Sequence, residues 1–227
     1  MQKSYFDNEI SDLAKHLHQA ALDPHLNVEG VNEICDASIY FNFAGLCTSL
    51  IRIPIARERL GANKKTRLIA VIGFPFGDIP FHLKHAQAEW AAEQGADELD
   101  VVPNFLELHE GHTDLVADEL SRICDIGLPT RAIIDATQLN ESHLKLVVEA
   151  SIDAGVTGIQ TGNGFGPKIT REKIESLIPI VKGRCSIKAA GGIKSLLETV
   201  ELIKSGCSEI GTSIGPELMK EFRRINQ

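Results

Sequence analysis

A lysine near the end of an apolar run is the first residue of this chain that suggests a reaction. Lys188 lies within Ser186–Ala190, and the glycine pair Gly191–Gly192 follows directly. A lysine that is partly desolvated or close to other cations has a lowered pKa, which suits an amine that attacks carbonyl groups and forms Schiff bases. The alternative interpretation is a lysine held in a structural salt bridge by a neighbouring carboxylate.

An aspartate in a second apolar run supplies a matching acidic group. In Ala96–Val102, the alternation of side chains along a strand places Glu98 and Asp100 on one face and Asp97 on the other. At least one carboxylate is therefore expected to face inward, whereas Asp97 fits an exposed strand entry. A carboxylate that faces an interior lysine can transfer protons, and it also compensates a buried charge.

Two glycine-bearing turns indicate a site for a phosphate or a similar anion. The pair Gly191–Gly192 follows one apolar run, and Gly211–Gly215, which contains Ser213, follows the next. Backbone N–H groups in such turns, at the start of a helix, bind an oxyanion without needing much basic charge. A third glycine-rich loop, Gly162–Gly166, either closes over the same ligand with Gly164 in contact with it, or is a flexible connection.

Short apolar runs alternate with longer amphipathic segments along the whole chain. Eight runs are predicted to be strands: Leu17–Leu22, Phe43–Thr48, Leu68–Phe74, Leu99–Val102, Arg131–Ala136, Gly155–Gln160, Cys185–Ala189 and Glu209–Ser213. Eight segments with helical spacing are predicted to be helices: Val28–Ile39, Pro54–Leu60, Leu83–Gln94, Thr113–Ile126, Glu141–Ala154, Arg171–Val181, Ser195–Lys204 and Pro216–Ile225. Asn140 and Thr170 are typical helix N-caps, and glycines follow several of the helix ends.

This alternation predicts an α/β fold with a parallel sheet, because strand–helix–strand units have right-handed crossovers. Eight units of about 28 residues suit closure into a single parallel (β/α)8 TIM barrel, and a doubly wound open sheet is the alternative. No linker or low-complexity tract interrupts residues 1–227, which predicts one domain. In a barrel the active site lies at the carboxyl ends of the strands, so polar residues there, such as His18, are candidates for binding a substrate.

Composition and charge exclude several classes of protein. The chain has 227 residues with a formal net charge of −8, and no basic run is longer than Lys64–Lys65, so no nucleic-acid partner is expected. The acidic residues in Met1–Asp12 argue against a signal peptide, and no apolar stretch is long enough to span a membrane, so we expect a cytoplasmic protein without a membrane partner. The five widely spaced cysteines predict buried free thiols and no metal site.

Four motifs at the ends of the predicted strands resemble those of the deoxyribose-phosphate aldolase family, in order and spacing, over nearly the entire chain. They are Val71–Gly77, Gly95–Val102, Lys188–Ile193 and Ile210–Ser213. The resemblance implies a (β/α)8 barrel that joins acetaldehyde to glyceraldehyde 3-phosphate through a lysine Schiff base, without a metal or another cofactor, and that forms a dimer or a larger homo-oligomer. It also implies roles for single residues: proton transfer by Asp100 with Lys188 as the second lysine, and phosphate binding by Gly191, Gly192 and Ser213.

The departures from the family pattern lie at the centre of that reaction. The sixth strand of the family ends in Lys-Thr-Ser-Thr-Gly, whose lysine forms the Schiff base, and Gln160 occupies the position of this lysine. A glutamine amide has no basic lone pair on nitrogen and cannot condense with a carbonyl group. His18 stands at the first position of an Asp-His-Thr pattern, and Arg131 replaces a fifth-strand lysine; both are predicted to bind substrate. Asp135 replaces a glutamate, and Ile214 replaces a serine of the phosphate turn.

Two hypotheses from different classes of function remain. The first is an aldolase-like lyase that acts on a small phosphorylated sugar or carbonyl compound, with Lys188 as the remaining candidate amine and Asp100 as the proton-transfer group. A non-covalent enolisation or isomerisation by the same groups is a variant of it. The second is a catalytically silent barrel that binds a phosphorylated metabolite or a protein partner. With Gln160 in place of the amine, cleavage of deoxyribose 5-phosphate is expected to be very weak or absent.

Overall fold

The computed structural model describes residue 10, residues 12–62 and residues 65–225. Within these residues, eight parallel strands close into a barrel in chain order, with the last strand hydrogen-bonded to the first. The strands are β1 (Leu17–Ala21), β2 (Gly45–Thr48), β3 (Arg67–Ile72), β4 (Glu98–Val101), β5 (Thr130–Ile133), β6 (Gly158–Gln160), β7 (Ser186–Ala190) and β8 (Glu209–Thr212). The predicted TIM barrel is confirmed, and the open sheet is excluded.

Nine α-helices in the described part of the chain surround the barrel. They are α1 (Val28–Phe41), α2 (Ile53–Leu60), α3 (Phe81–Glu93), α4 (Phe105–His109), α5 (Thr113–Cys124), α6 (Glu141–Asp153), α7 (Arg171–Val181), α8 (Leu196–Lys204) and α9 (Gly215–Ile225). The eight predicted helices all occur, with ends shifted by one or two residues at most. The local signals are those the sequence indicates: the Asn140 side chain accepts the backbone N–H of His143 at 2.9 Å, and Gly155, after α6, has a φ of 87°.

Helix α4 is not predicted by the sequence pattern. It has only five residues, too few for an apolar repeat to show or for helix propensity alone to stabilise it. The side chain of Asn104 caps it by accepting the backbone N–H of Leu106 at 3.1 Å. Two short 3-10 turns, Leu13–His16 and Leu50–Arg52, are likewise absent from the predicted elements.

The two faces of the barrel sheet bury different side chains. Outward-facing residues such as Leu46, Leu68, Leu99 and Ile159 are fully buried and pack against the helices, forming the apolar core. Inward-facing positions of β3, β4, β5 and β7 instead carry charged residues, which are described below. The apolar layer outside the sheet thus supports a polar interior.

Predictions on the N-terminus, the basic residues and the cysteines compare with the structure as follows. The prediction that Met1–Asp12 is no signal peptide and the basic run Lys64–Lys65 fall largely on residues 1–9 and on Lys64, which lie outside the described residues, so they stay predictions. All five cysteines are free thiols, but only Cys35, Cys47 and Cys207 are buried. Cys124 and Cys185 are half-buried, because Cys124 ends α5 and Cys185 precedes β7, at the margins of the packed layers. In the ranges described, no helix combines the length and apolar character needed to cross a membrane.

Candidate active site

A cavity of about 380 Å³ opens at the carboxyl ends of the strands, where the loops after β1, β3, β6, β7 and β8 meet. Most of the site residues predicted from the sequence line it: His18, Gln160, Gly164, Lys188, Gly191, Gly192 and Ser213. Asp100 and Arg131 are not part of the lining and are almost fully buried. The structure therefore brings the predicted residues together at one end of the barrel, where Asp100 and Arg131 lie buried beneath the cavity.

Lys188 and Asp100 are in direct contact although 88 residues separate them in the chain. Lys188 Nζ donates a hydrogen bond to Asp100 Oδ2 at 2.6 Å, and the two side chains are only 2% and 0% exposed. Lys188 also lines the cavity, so the lysine that contacts this carboxylate is part of the wall of the ligand space. This geometry suits proton exchange between the two groups.

Three more charged side chains continue this pair toward the other end of the barrel. Arg131 Nε lies 3.0 Å from Asp100 Oδ1, and another nitrogen of the Arg131 guanidinium contacts Glu98. Glu98 Oε1 in turn lies 2.9 Å from Nη1 of Arg67, at the start of β3. We call these five residues of alternating charge, Arg67, Glu98, Arg131, Asp100 and Lys188, the interior charge ladder. The Arg131 guanidinium already contacts two carboxylates. Its position therefore favours a role in orienting Asp100, rather than the predicted contact with substrate.

The ladder determines the ionisation of Asp100. Burial by itself raises the pKa of this carboxyl, but the charges of Arg131 and Lys188, and the hydrogen bond from Lys188, outweigh burial and leave the pKa below its usual value. Burial raises the pKa of the neighbouring Cys47 thiol to about 12, so Cys47 is a neutral group 3.8 Å from Asp100 Oδ2. Asp100 is therefore an anion at neutral pH that accepts hydrogen bonds.

Asp97 is not the exposed residue that the sequence predicts. Its side chain is only 8% exposed, and its Oδ2 accepts hydrogen bonds from Arg57 Nη2 at 2.5 Å and from the backbone N–H of Leu68 at 2.8 Å. Arg57 belongs to α2, which covers the outer face of the sheet at this point. The expectation of a solvated strand entry is wrong because it takes no account of a helix packed over that entry.

His18 is a fully buried, neutral imidazole in the wall of the cavity. Burial is the main reason that its pKa lies well below the usual 6.5, and the positive charges of Lys188, Arg131 and Arg67 lower it further. Its Nε2 lies 3.4 Å from a guanidinium nitrogen of Arg67.

The lowered pKa of His18 predicts how stability depends on pH. The unfolded chain binds a proton at His18 below about pH 6.5 and the folded chain does not, so stability is full above that pH and falls as the pH decreases. The contribution to the slope is at most about 1.4 kcal/mol per pH unit. We expect His18→Gln to flatten the loss of unfolding free energy between pH 6.5 and 5, measured by urea denaturation. Equal slopes for the two proteins would contradict a neutral buried His18.

The two glycine turns form a cradle for an anion at one side of the cavity. Gly191 and Gly192 have φ values of 113° and 70°, in the left-handed region that favours glycine. In the part of the chain that the structure describes, the backbone N–H groups of Gly191, Gly192 and Ser213 make no hydrogen bond. Lys194, on the same wall, adds a positive charge. Free N–H groups and an amine at one wall are typical of a phosphate site.

A carboxylate placed in this cradle is expected to abolish anion binding. Ser213 is exposed, so Ser213→Asp adds a charge without disturbing the core. Repulsion between two unit charges about 4 Å apart amounts to about 4 kcal/mol near a protein surface, which corresponds to at least a 100-fold loss of affinity. Calorimetry with inorganic phosphate measures it, with Ser213→Asn as the neutral control of the same size. If Ser213→Asp binds phosphate normally, the anion site lies elsewhere.

The loop that carries Gly164 extends across the mouth of the barrel. Asn163 Nδ2 donates to the carbonyl oxygen of Pro75 at 2.8 Å, and the Phe165 ring lies 6.1 Å from that of Phe74 and 5.6 Å from that of Phe76. These contacts tie the loop after β6 to the loop after β3. Of the two interpretations of this loop, the structure thus favours a cover over the ligand space.

The sequence interpretation missed two residues that serve the cradle. Gln19 Nε2 donates to the carbonyl oxygen of Ser213, and Gln19 Oε1 accepts the N–H of Gly215, both at 2.9 Å, so Gln19 holds the β8–α9 turn in place. A single glutamine in a strand gives no signal in the sequence. Lys194, in contrast, follows the Gly191–Gly192 pair closely enough to be recognised as a phosphate-binding candidate.

In the same described ranges, no three histidine, cysteine, aspartate or glutamate side chains form a group that could hold a metal ion. The groups at the cavity that can take part in a reaction include the Lys188 amine, the Asp100 carboxylate and the hydrogen-bonding groups of the cavity wall.

Comparison with known proteins connects this site to one family. No family model matches the chain. The deoxyribose-phosphate aldolase of a Picosynechococcus species is 33% identical over 220 residues, which cover 96% of each chain. A solved structure described as QR15, an aldolase, is 32% identical, with a TM-score of 0.90 and coverage of 95% of this chain and 97% of that one. The deoxyribose phosphate aldolase from Aeropyrum pernix, described as having a unique tetrameric structure, is 27% identical, with a TM-score of 0.85 over 98% of this chain and 95% of that one.

Proposed function

This chain belongs to the deoxyribose-phosphate aldolase family, and on that premise we propose that it is a carbon–carbon lyase of the aldolase class that acts on a small phosphorylated sugar. One observation carries the proposal: Lys188 lines the cavity, and its amine lies 2.6 Å from the Asp100 carboxylate. The relatives support the class of reaction, and this contact supports the assignment of Lys188 and Asp100 to it.

The proposed reaction starts with the transfer of a proton from Lys188 to Asp100. The neutral amine adds to the carbonyl carbon of the substrate and one of its protons moves to the carbonyl oxygen. Asp100 returns the proton that it took, so this oxygen leaves as water and a protonated Schiff base remains on Lys188. This cation takes up the electron pair of the carbon–carbon bond when that bond breaks. The proton of the substrate hydroxyl at the cleaved carbon goes to a base, and Asp100 is the carboxylate placed nearest to Lys188. The N–H groups of Gly191, Gly192 and Ser213, together with Lys194, hold the phosphate.

The same geometry limits the rate of this reaction. Asp100 has a lowered pKa and is held by two cations, so it takes the proton of Lys188 only rarely. Gln160, the neighbour of Lys188 in the strand register, cannot supply a second amine. We therefore propose that cleavage of 2-deoxyribose 5-phosphate is very weak or absent.

The interior charge ladder also supports the second function, a silent barrel that binds a phosphorylated metabolite or a protein partner. The pairing of Lys188 with Asp100 compensates a buried charge, and this structural role accounts for the lysine without requiring that it catalyse a reaction. The anion cradle of Gly191, Gly192 and Ser213 serves both functions equally, so binding alone does not separate them.

Borohydride trapping separates the two functions. The protein is incubated with a phosphorylated aldehyde and sodium borohydride, and the adduct is located by peptide mapping with mass spectrometry. The lyase proposal predicts an adduct on Lys188 that disappears in Lys188→Ala. As a control, Lys194→Ala, tested with acetaldehyde so that no phosphate contact is needed, retains the adduct. Absence of any adduct on Lys188 in the parent protein would favour the silent barrel.

We further propose that residues 1–227 belong to one domain and that the protein assembles as a dimer or a larger homo-oligomer, an assembly that the tetrameric relative supports. The expected cytoplasmic location, and the expected absence of a nucleic-acid partner, stay predictions from the sequence.

A further inference from the structure

Gln160 carries a buried hydrogen-bond acceptor without a donor. Its side chain lines the cavity and is 6% exposed, and Nε2 donates to the carbonyl oxygen of Gly162 at 2.8 Å. That hydrogen bond fixes the orientation of the amide, because the reverse orientation would place two oxygens against each other. Within the described residues, Gln160 Oε1 has no hydrogen-bond partner. An acceptor in this situation requires a donor from a ligand or from solvent.

His18 presents the opposite kind of group. Arginine only donates hydrogen bonds, so the Nε2 atom that faces Arg67 acts as an acceptor and the proton of the neutral ring lies on Nδ1. His18 Nδ1 also has no hydrogen-bond partner in the described part of the chain, and the side chain is 0% exposed. His18 thus offers an N–H donor in the cavity wall.

In the strand order around the barrel, Lys188 on β7 lies between Gln160 on β6 and His18 on β1. Gln160 pairs in register with Lys188, and His18 pairs with Gly211. Gly211 has no side chain, and Lys188 Cε occupies the space beside it, 3.2 Å from where a Cβ on Gly211 would lie. The order along the wall is therefore His18, Lys188, Gln160. A ligand whose carbonyl carbon reaches Lys188 has the donor of His18 on one side and the acceptor of Gln160 on the other.

We infer that this site selects a sugar phosphate that carries a hydroxyl next to its carbonyl group, and that it discriminates against the corresponding 2-deoxy sugar. The hydroxyl donates to Gln160 Oε1, and a ligand oxygen accepts from His18 Nδ1. This inference rests on the proposed function insofar as the cavity is the phosphosugar site, but it does not require a reaction. A C–H group in place of the hydroxyl leaves Gln160 Oε1 desolvated and unpaired, which weakens binding by about 10- to 100-fold.

Calorimetric titration with ribose 5-phosphate and 2-deoxyribose 5-phosphate tests the inference. The ratio of the two dissociation constants is measured for the parent protein and for Gln160→Met, which keeps the side-chain length and removes the acceptor. Because ring opening of each sugar is the same for every protein, comparing the ratios cancels its effect. The preference for ribose 5-phosphate is expected to fall at least 10-fold in Gln160→Met and to persist in Gln138→Met, an exposed glutamine outside the cavity.

The outcomes distinguish this inference from the proposed function. Equal ratios in the parent and in Gln160→Met overturn the inference and leave phosphosugar binding intact. Binding of neither sugar by the parent protein overturns both. A preserved preference for ribose 5-phosphate without a borohydride adduct overturns the lyase and supports the inference. If Gln160→Met does not unfold cooperatively, Gln160→Leu carries the same measurement, and His18→Leu is expected to weaken both sugars about 10-fold by removing the donor.

Discussion

Replacing Gln160 with lysine is expected to produce a borohydride-trappable adduct at position 160 and to speed the cleavage of 2-deoxyribose 5-phosphate by at least about 100-fold. The substitution places an amine at the end of β6, beside Lys188 in the strand register. The Lys188 ammonium is paired with Asp100, and a positive charge beside the new amine lowers the pKa of that amine, which favours its neutral, nucleophilic form. Steady-state cleavage rates and peptide mapping of the reduced adduct measure the effect.

Gln160→Met is the matched control for this experiment, because it changes the same side chain without adding an amine. It is expected to give no adduct at position 160 and no gain in rate. Two results would contradict the argument: a parent protein that already cleaves the substrate at about 1 s⁻¹ or faster, or a folded Gln160→Lys protein without an adduct. In the first case Lys188→Ala decides whether Lys188 is the amine. If activity survives that change as well, neither strand supplies a covalent amine.

Removing the Arg131 guanidinium, at the centre of the interior charge ladder, is expected to lower the free energy of unfolding more than any other substitution proposed for this protein. Arg131 is 3% exposed and contacts both Glu98 and Asp100. Arg131→Met leaves these two carboxylates buried without their shared partner, and breaking a buried ion pair from one side costs about 3–5 kcal/mol. Urea denaturation at pH 7 measures the change in the free energy of unfolding.

Two comparison variants make this measurement specific. Arg131→Lys keeps the positive charge and is expected to lose less stability than Arg131→Met. Arg59→Met removes an arginine whose pair with Asp36 is half-exposed, at 48% and 50%, and such surface pairs contribute about 0–1 kcal/mol. A loss below about 1 kcal/mol for Arg131→Met would show that the ladder does not stabilise the barrel.

The interior charge ladder is expected to serve both the stability of the barrel and the proposed reaction. Lys188 donates a hydrogen bond to one oxygen of Asp100, and Arg131 forms an ion pair with the other without a hydrogen bond, so the two cations orient the carboxylate toward the amine. The same contacts keep Asp100 ionised and Lys188 in its salt bridge. In the proposed function, this arrangement combines a firmly held proton-transfer pair with a weakened nucleophile, because the resemblance implies an amine where Gln160 stands.

Local patterns in the sequence determined the secondary structure and the placement of the motifs. Short apolar runs identify the eight strands, and segments with a period near 3.6 residues identify eight of the nine α-helices of the described residues, because these patterns reflect which faces each element buries. The strand-end motifs identify Lys188, Gln160 and the Gly191–Gly192 turn as cavity residues, since a closed parallel barrel brings all carboxyl strand ends to one rim. The number and length of the units favour closure, and the structure excludes the open sheet that the sequence left as the alternative.

Only the tertiary structure decided which side chains meet inside the barrel. The partners in the ladder are 31 to 88 residues apart in the chain, and their contacts depend on the stagger between strands, which no local pattern encodes. For the same reason the sequence did not show that Arg131 is occupied by carboxylates, that Arg57 covers Asp97, or that Gln19 holds the β8–α9 turn. Burial, charge and unpaired hydrogen-bonding groups such as Gln160 Oε1 arise from the packing of distant segments, and so they exist only in the folded chain.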